Sequence, residues 1–165
     1  MKQDFVKIYT IRTAEGFKNI ASLVSQEVAF EKGLLPESII GYFVNQVFNE
    51  EIIPDNFIRN SLFVDLLHKS IKEFAPQTKS FLNTARKLKN GSVYVIDQRT
   101  PDPNGAVPSE DIIGAFEIKN SEFIKDSYTR NNNHKILSQN GFFNLGNELF
   151  EYLLNMLYRL YDASK

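Results

Sequence analysis

Ser92-Val-Tyr-Val-Ile-Asp97 is the stretch that decides the class of fold. It packs Val93, Tyr94, Val95 and Ile96 into a short apolar run rich in β-branched side chains. The Asn90-Gly91 turn signal precedes it, and Arg99-Thr-Pro-Asp-Pro-Asn-Gly-Ala-Val-Pro108 follows it. A short run of this kind between breakers reads as a buried central strand. Downstream, Ile112 to Ile118 and Glu122 to Asp126 flank Lys119-Asn120-Ser121, where Asn120 tolerates the left-handed backbone of a tight turn. This pair predicts a β-hairpin.

Moving outward from this β region, the periodicity changes. Phe5 to Ile11 alternates around Lys7 and reads as a strand. Thr13 then offers a cap for a helix with Phe17, Ile20, Ala21, Val24 and Val28 on one face and Gly33 as its stop. Pro36 opens a second helical pattern with Ile39, Ile40, Phe43, Val44, Val47 and Phe48. Pro54 and Asp55 open a third, running through Ile58, Leu62, Phe63, Leu66, Leu67, Ile71 and Phe74 until Pro76 ends it. Gln77 to Leu88 reads as a further helix. At the other end, Leu145, Leu149, Leu153, Met156, Leu157 and Leu160 mark a closing helix for which Asn144 is a cap.

The elements are therefore segregated rather than alternating, which predicts an α+β fold. We expect one domain over residues 1–165, with an antiparallel sheet of about four strands covered by helices mainly on one face. The N-terminal half reads as helix-rich, and residues 1–75 can form a helical subdomain. No internal repeat is recognised at this level.

Composition narrows the function classes. The 165 residues are long enough to bury roughly two-thirds of their unfolded surface in one core. Fourteen Phe and seven Tyr, with no Trp, predict an aromatic core and a surplus available for self-association or for a partner. The net charge of −1 supplies no overall field for nucleic acid or anionic lipid. The locally basic stretch from Pro76 to Asn90 reads as a solvated helix face. The absence of cysteine removes disulfides and thiolate chemistry and fits a reducing compartment, so the expected location is cytoplasmic. Neither a signal peptide nor a membrane span is read from the apolar pattern.

No phosphate-binding loop, dinucleotide fingerprint, nucleophile elbow or zinc-protease motif occurs, so no cofactor is expected. With two histidines, His68 and His134, and no motif around them, no metal site is expected either. The candidate proton-transfer groups are Asp97, Glu117 and His134. The candidate ligand- or partner-binding residues are Arg99, Tyr128, Arg130, Asn132 and His134. Asp97 and Arg99 stand where a strand gives way to a loop, and strand ends and loops commonly carry binding groups. The polar run 128–135 concentrates donors and acceptors, with Arg130 able to fork onto an anion and His134 able to move a proton. Two functions follow. The first is a non-catalytic protein-interaction domain using the 99–108 and 128–140 loops. The alternative is a small enzyme or ligand-binding protein acting on a polar or phosphorylated molecule through Asp97, Arg99, Arg130 and His134.

Overall fold

A computed structural model describes residues 5–44, 53–99 and 105–164. The fold is α+β, and all its strand pairings are antiparallel. The chain divides into two compact units, one built from residues 1–67, 136–142 and 154–165 and the other from 68–135 and 143–153. Four α-helices are present among the described residues, α1 (Gln26–Lys32), α2 (Ser61–Phe74), α3 (Lys79–Leu88) and α4 (Asn147–Ala163). The chain passes from one unit to the other within α2 and within α4. None of these helices is long and apolar enough to cross a membrane.

The first unit holds a sheet in the order β1 (Lys7–Thr13), β2 (Gly16–Ser22), β3 (Ile39–Phe43) and β4 (Phe57–Arg59). The helices expected over residues 13–33 and 36–48 are corrected here. Thr13 does not cap a helix: it pairs with Gly16 across a two-residue turn, and its hydroxyl donates to the Gly16 carbonyl at 2.8 Å. The helix that does form, α1, starts later under Ser25, whose hydroxyl accepts from the Val28 amide, and stops before Gly33 as expected. Ile39 and Ile40 follow a single 3₁₀ turn at Pro36–Ser38 and enter β3. Val47 and Phe48, part of the same expected helix, lie outside the described residues. The third expected helix begins at Ser61 rather than at Pro54, because Phe57–Arg59 is taken by β4. The first 75 residues thus carry four strands along with their helices.

The core of this unit joins Ile20, Val24, Ile40, Phe43, Phe63 and Leu67 with Phe142 and Leu157. Phe57 bridges Phe43, tilted with ring centres at 5.2 Å, and Phe142, edge-on at 5.7 Å. Such tilted aromatic pairs add to the area they bury. Tyr161 is buried with them, and its hydroxyl accepts from the Leu35 amide at 3.1 Å and lies 3.0 Å from the Gly33 carbonyl. A two-stranded ladder, β9 (Leu137–Ser138) with β10 (Gly141–Phe142), belongs to the same unit.

The second unit follows the sequence in its hairpin and its helix after Thr78, but the strand expected at 92–97 to be buried and central runs along an edge of its sheet, with Tyr94 and Ile96 exposed. β5 (Gly91–Ile96) pairs with β6 (Ile112–Lys119), which continues through the two-residue turn Asn120-Ser121 into β7 (Glu122–Phe123). Both turn residues have positive φ, 53° and 66°, as a primed hairpin turn requires. β8 (Thr129–Arg130) pairs with β6 on the same side. Helix α3, capped by Thr78, lays Ala85 and Phe81 against Val93 and Ile118. Phe116 contacts Phe81, Phe123 and Tyr128, and Phe74 stacks on Tyr152 at 4.2 Å.

The two units repeat one another, which the sequence reading missed. Ile39-Ile-Gly-Tyr-Phe43 in β3 corresponds to Ile112-Ile-Gly-Ala-Phe116 in β6. Gly41 pairs with Ala21 and with Arg59, and Gly114 pairs with Val95 and with Arg130. In each unit the register slips at the same step, between Ala21 and Ser22 and between Val95 and Ile96. Asn60 and Asn131 then make the same hydrogen bonds. Their amides donate to Ile40 and Ile113, and their side chains bind the carbonyls of Pro36 and Ile39 or of Ser109 and Ile112. The two glycines are required for one reason. A Cβ at Gly41 would meet the Phe57 ring and the Ile58 carbonyl, and one at Gly114 would lie 2.6 to 2.7 Å from the Tyr128 ring and hydroxyl and the Thr129 carbonyl. The shared residues are few and the inserts between them differ in length, so periodicity alone does not expose the repeat.

Candidate functional site

The strand-to-loop transition at the end of β5 carries a cluster of buried charge. Asp97 is 0% exposed, and its carboxylate is met by three hydrogen bonds and one further ion-pair contact. The Asn144 amide reaches Oδ1 at 2.9 Å and the Arg99 amide reaches it at 3.2 Å. His134 Nε2 lies 2.9 Å from Oδ2, and Arg99 Nε lies 3.5 Å from it. Arg99 Nε also donates to Asp111 Oδ1 at 2.9 Å, and its terminal nitrogen reaches the carbonyls of Glu110 at 3.2 Å and Lys135 at 2.5 Å. One guanidinium thus ties together the end of β5, the turn before β6 and the segment around Lys135.

This arrangement brings together three of the sequence-selected residues, Asp97, Arg99 and His134, and adds Asp111. It does not include the others. Glu117 sits on β6 and accepts from the Ser92 hydroxyl at 2.7 Å, with its side chain exposed. Tyr128 turns inward, its hydroxyl 2.7 Å from Nδ1 of the buried His68. Burial chiefly raises the Tyr128 pKa above its ordinary 10, and Arg130 opposes that shift weakly, so the phenol stays neutral. Arg130 and Asn132 are exposed. Residues 100–104, half of the proline-rich loop, lie outside the described residues. Among the described residues no group of three or more His, Cys, Asp or Glu is placed to hold a metal ion.

The repeat supplies an internal comparison for the charged cluster. By strand register Asp97 corresponds to Leu23, and Asp111, which precedes Ile112, corresponds to Ser38, which precedes Ile39. The same fold is therefore built once with an apolar residue and a hydroxyl at these positions and once with two carboxylates. Buried charges bring no general stability advantage over well-packed apolar residues. Their polar atoms here point at one another, which fixes the loops that carry them.

A different feature lies in the first unit. A groove of about 440 Å³ opens between β1 and α1, with Ile20 and Ile39 among its lining and Tyr9, Ile11, Phe30 and Leu34 around it. None of its lining residues is charged. Tyr9 donates to the Val24 carbonyl at 2.6 Å, and burial, followed by Tyr158 and Tyr161, raises its pKa above 10. Phe30 on the groove wall is 91% exposed. Sequence reasoning passed over it because it stands off the apolar stripe of its segment. That offset was itself the available signal, since a large aromatic off the buried stripe has to face solvent or a partner. The Arg12 side chain stands exposed on β1.

No protein family, curated protein or solved structure matches this chain.

Proposed function

We propose that this protein is a non-catalytic protein-interaction domain whose partner docks in the groove between β1 and α1. The observation that carries this reading is Phe30, almost fully exposed on the wall of an uncharged groove large enough for several side chains. Aromatic residues of this kind are the usual energetic anchors of an interface. The fitting partner is a protein segment that presents large apolar side chains to the uncharged groove. The 128–140 segment supports the reading less, because His134, Ile136, Leu137 and Ser138 are buried and Asn131 is tied to Ser109 and Ile112. A cysteine-free chain fits a reducing compartment, and we place it in the cytosol.

The test is affinity purification of the tagged protein from its native lysate with mass spectrometry of co-eluting proteins. Wild type, Phe30→Asp, Arg130→Ala and Asn132→Ala are compared. We expect one protein at near-equal amount, lost only with Phe30→Asp. Loss with Arg130→Ala or Asn132→Ala instead moves the contact to the 128–140 segment, and no partner with wild type defeats the interaction reading.

A second reading has one observation in its favour, the meeting of Asp97, Arg99 and His134. In that reading the protein binds or transforms a polar or phosphorylated small molecule after the cluster opens. A thermal-shift screen with inorganic phosphate and phosphorylated metabolites tests it, and no ligand raising Tm in wild type counts against it.

A further inference from the structure

β2 in the first unit is paired on both sides, with β1 along one edge and β3 along the other. Its counterpart β5 shares the register and the slip but pairs only with β6. Among the described residues no strand occupies the outer edge of β5. The slip itself does not prevent pairing there, since β1 pairs with β2 through the equivalent step, from Ala21 to Ser22. The second unit therefore presents the strand edge that the first unit covers.

The chemistry of that edge is unusual for one left open. Proteins guard exposed edges with charged residues, lysine above all, because a bare edge templates further pairing. The exposed edge strand of the first unit, β1, follows this rule with Lys7 and Arg12. β5, Gly91-Ser-Val-Tyr-Val-Ile96, carries no charge. Val93 packs beneath it against Ala85 and Ile118, while on the opposite face Tyr94 is 55% and Ile96 41% exposed.

We infer that this edge is where two copies of the chain associate, the β5 strands of both pairing antiparallel about a twofold axis. The second copy fits because the strand complements itself. Pairing centred on Tyr94 sets Ser92 opposite Ile96 and Val93 opposite Val95, so buried-face residues meet buried-face residues and exposed meet exposed. No like charges face each other, and the twofold closes the assembly at a dimer. The two sheets then run on as one, and Tyr94 of each copy covers its equivalent in the other.

Sedimentation equilibrium of the purified full chain over a concentration series tests this. Wild type is expected to rise from one to two chains in mass. Tyr94→Lys and Ile96→Lys, both at exposed positions, should raise the dimer dissociation constant about tenfold or more while circular dichroism stays unchanged and Tm falls only toward that of dilute, monomeric wild type. Because the chain has no native cysteine, a single Tyr94→Cys reports the register. Position 94 faces itself, so mild oxidation should give a disulfide-linked dimer that Leu88→Cys does not give. A wild-type mass of one chain throughout, or lysine variants that dimerise as well as wild type, overturns the inference. Phe30→Asp should leave the dimer intact, which keeps this result separate from the fate of the groove.

Discussion

Replacing Arg99 with methionine tests whether the charged cluster is a sealed interior feature. The Arg99 side chain is 1% exposed, and it is the cation that Asp97 and Asp111, both fully buried, share between them. Methionine keeps much of the apolar stem but removes the charge, the Nε donor at 2.9 Å to Asp111, and the donors to the Glu110 and Lys135 carbonyls. Breaking a buried ion pair from one side costs about 3–5 kcal/mol, because the remaining charge is left in the interior. In a chain of this size each kcal/mol lowers Tm by about 2–4 °C, so Arg99→Met should lose about 6–20 °C. Arg99→Lys restores the charge without the planar fork and should fall between wild type and Arg99→Met. Urea unfolding followed by circular dichroism, with a parallel thermal scan, gives both quantities. A loss below about 1 kcal/mol, the range of a solvated surface pair, would refute the argument and show that water reaches the cluster.

Two further outcomes follow from the repeat and from Tyr128. Gly41→Ala and Gly114→Ala should each lower stability by about 1–3 kcal/mol, since the new methyl meets backbone carbonyl and aromatic ring in both places; equal stability in urea would mean that these contacts relax freely. Tyr128→Phe should cost about 1–3 kcal/mol at neutral pH by leaving His68 Nδ1 without its phenol partner. The raised Tyr128 pKa also sets a sign. The folded state favours the neutral phenol, so its contribution is complete below pH 10 and is lost as pH rises through the higher folded value. Ultraviolet titration of wild type against Tyr128→Phe should show that the variant lacks a phenol ionising above pH 10.

How far the sequence reaches differs between the two units. In the second, local signals agree with the fold at the turns, the cap and the existence of a strand, though the lack of charge at 93–96 suggested a central strand where an edge strand stands. Thr78 caps α3, Asn120 and Ser121 take the φ values of the hairpin turn, and the uncharged run at 93–96 is a strand. In the first, Ile39, Ile40 and Phe43 suit a helical face and a buried strand equally well, because a short apolar run has no decisive period. Their pairing between β2 and β4 settles the choice, and Gly41, a poor helix-interior residue, is needed there for the close approach of Phe57. The candidate site divides in the same way. Asp97 and Arg99 are legible at a strand end, whereas Asp111 joins them only because β5 and β6 bring its turn alongside.

Periodicity, composition and turn chemistry by themselves determined an α+β chain with no cysteine chemistry and no familiar catalytic motif, because these depend on residue type and near neighbours alone. Tertiary structure decided that Ile39 lies in a strand, that the unit occurs twice, that His134 is buried, that Phe30 is exposed and that β5 lacks the strand β2 possesses. Each of these depends on which distant segment occupies the space beside a residue, and that is fixed by pairing register and packing across the chain rather than by the pattern within any one segment.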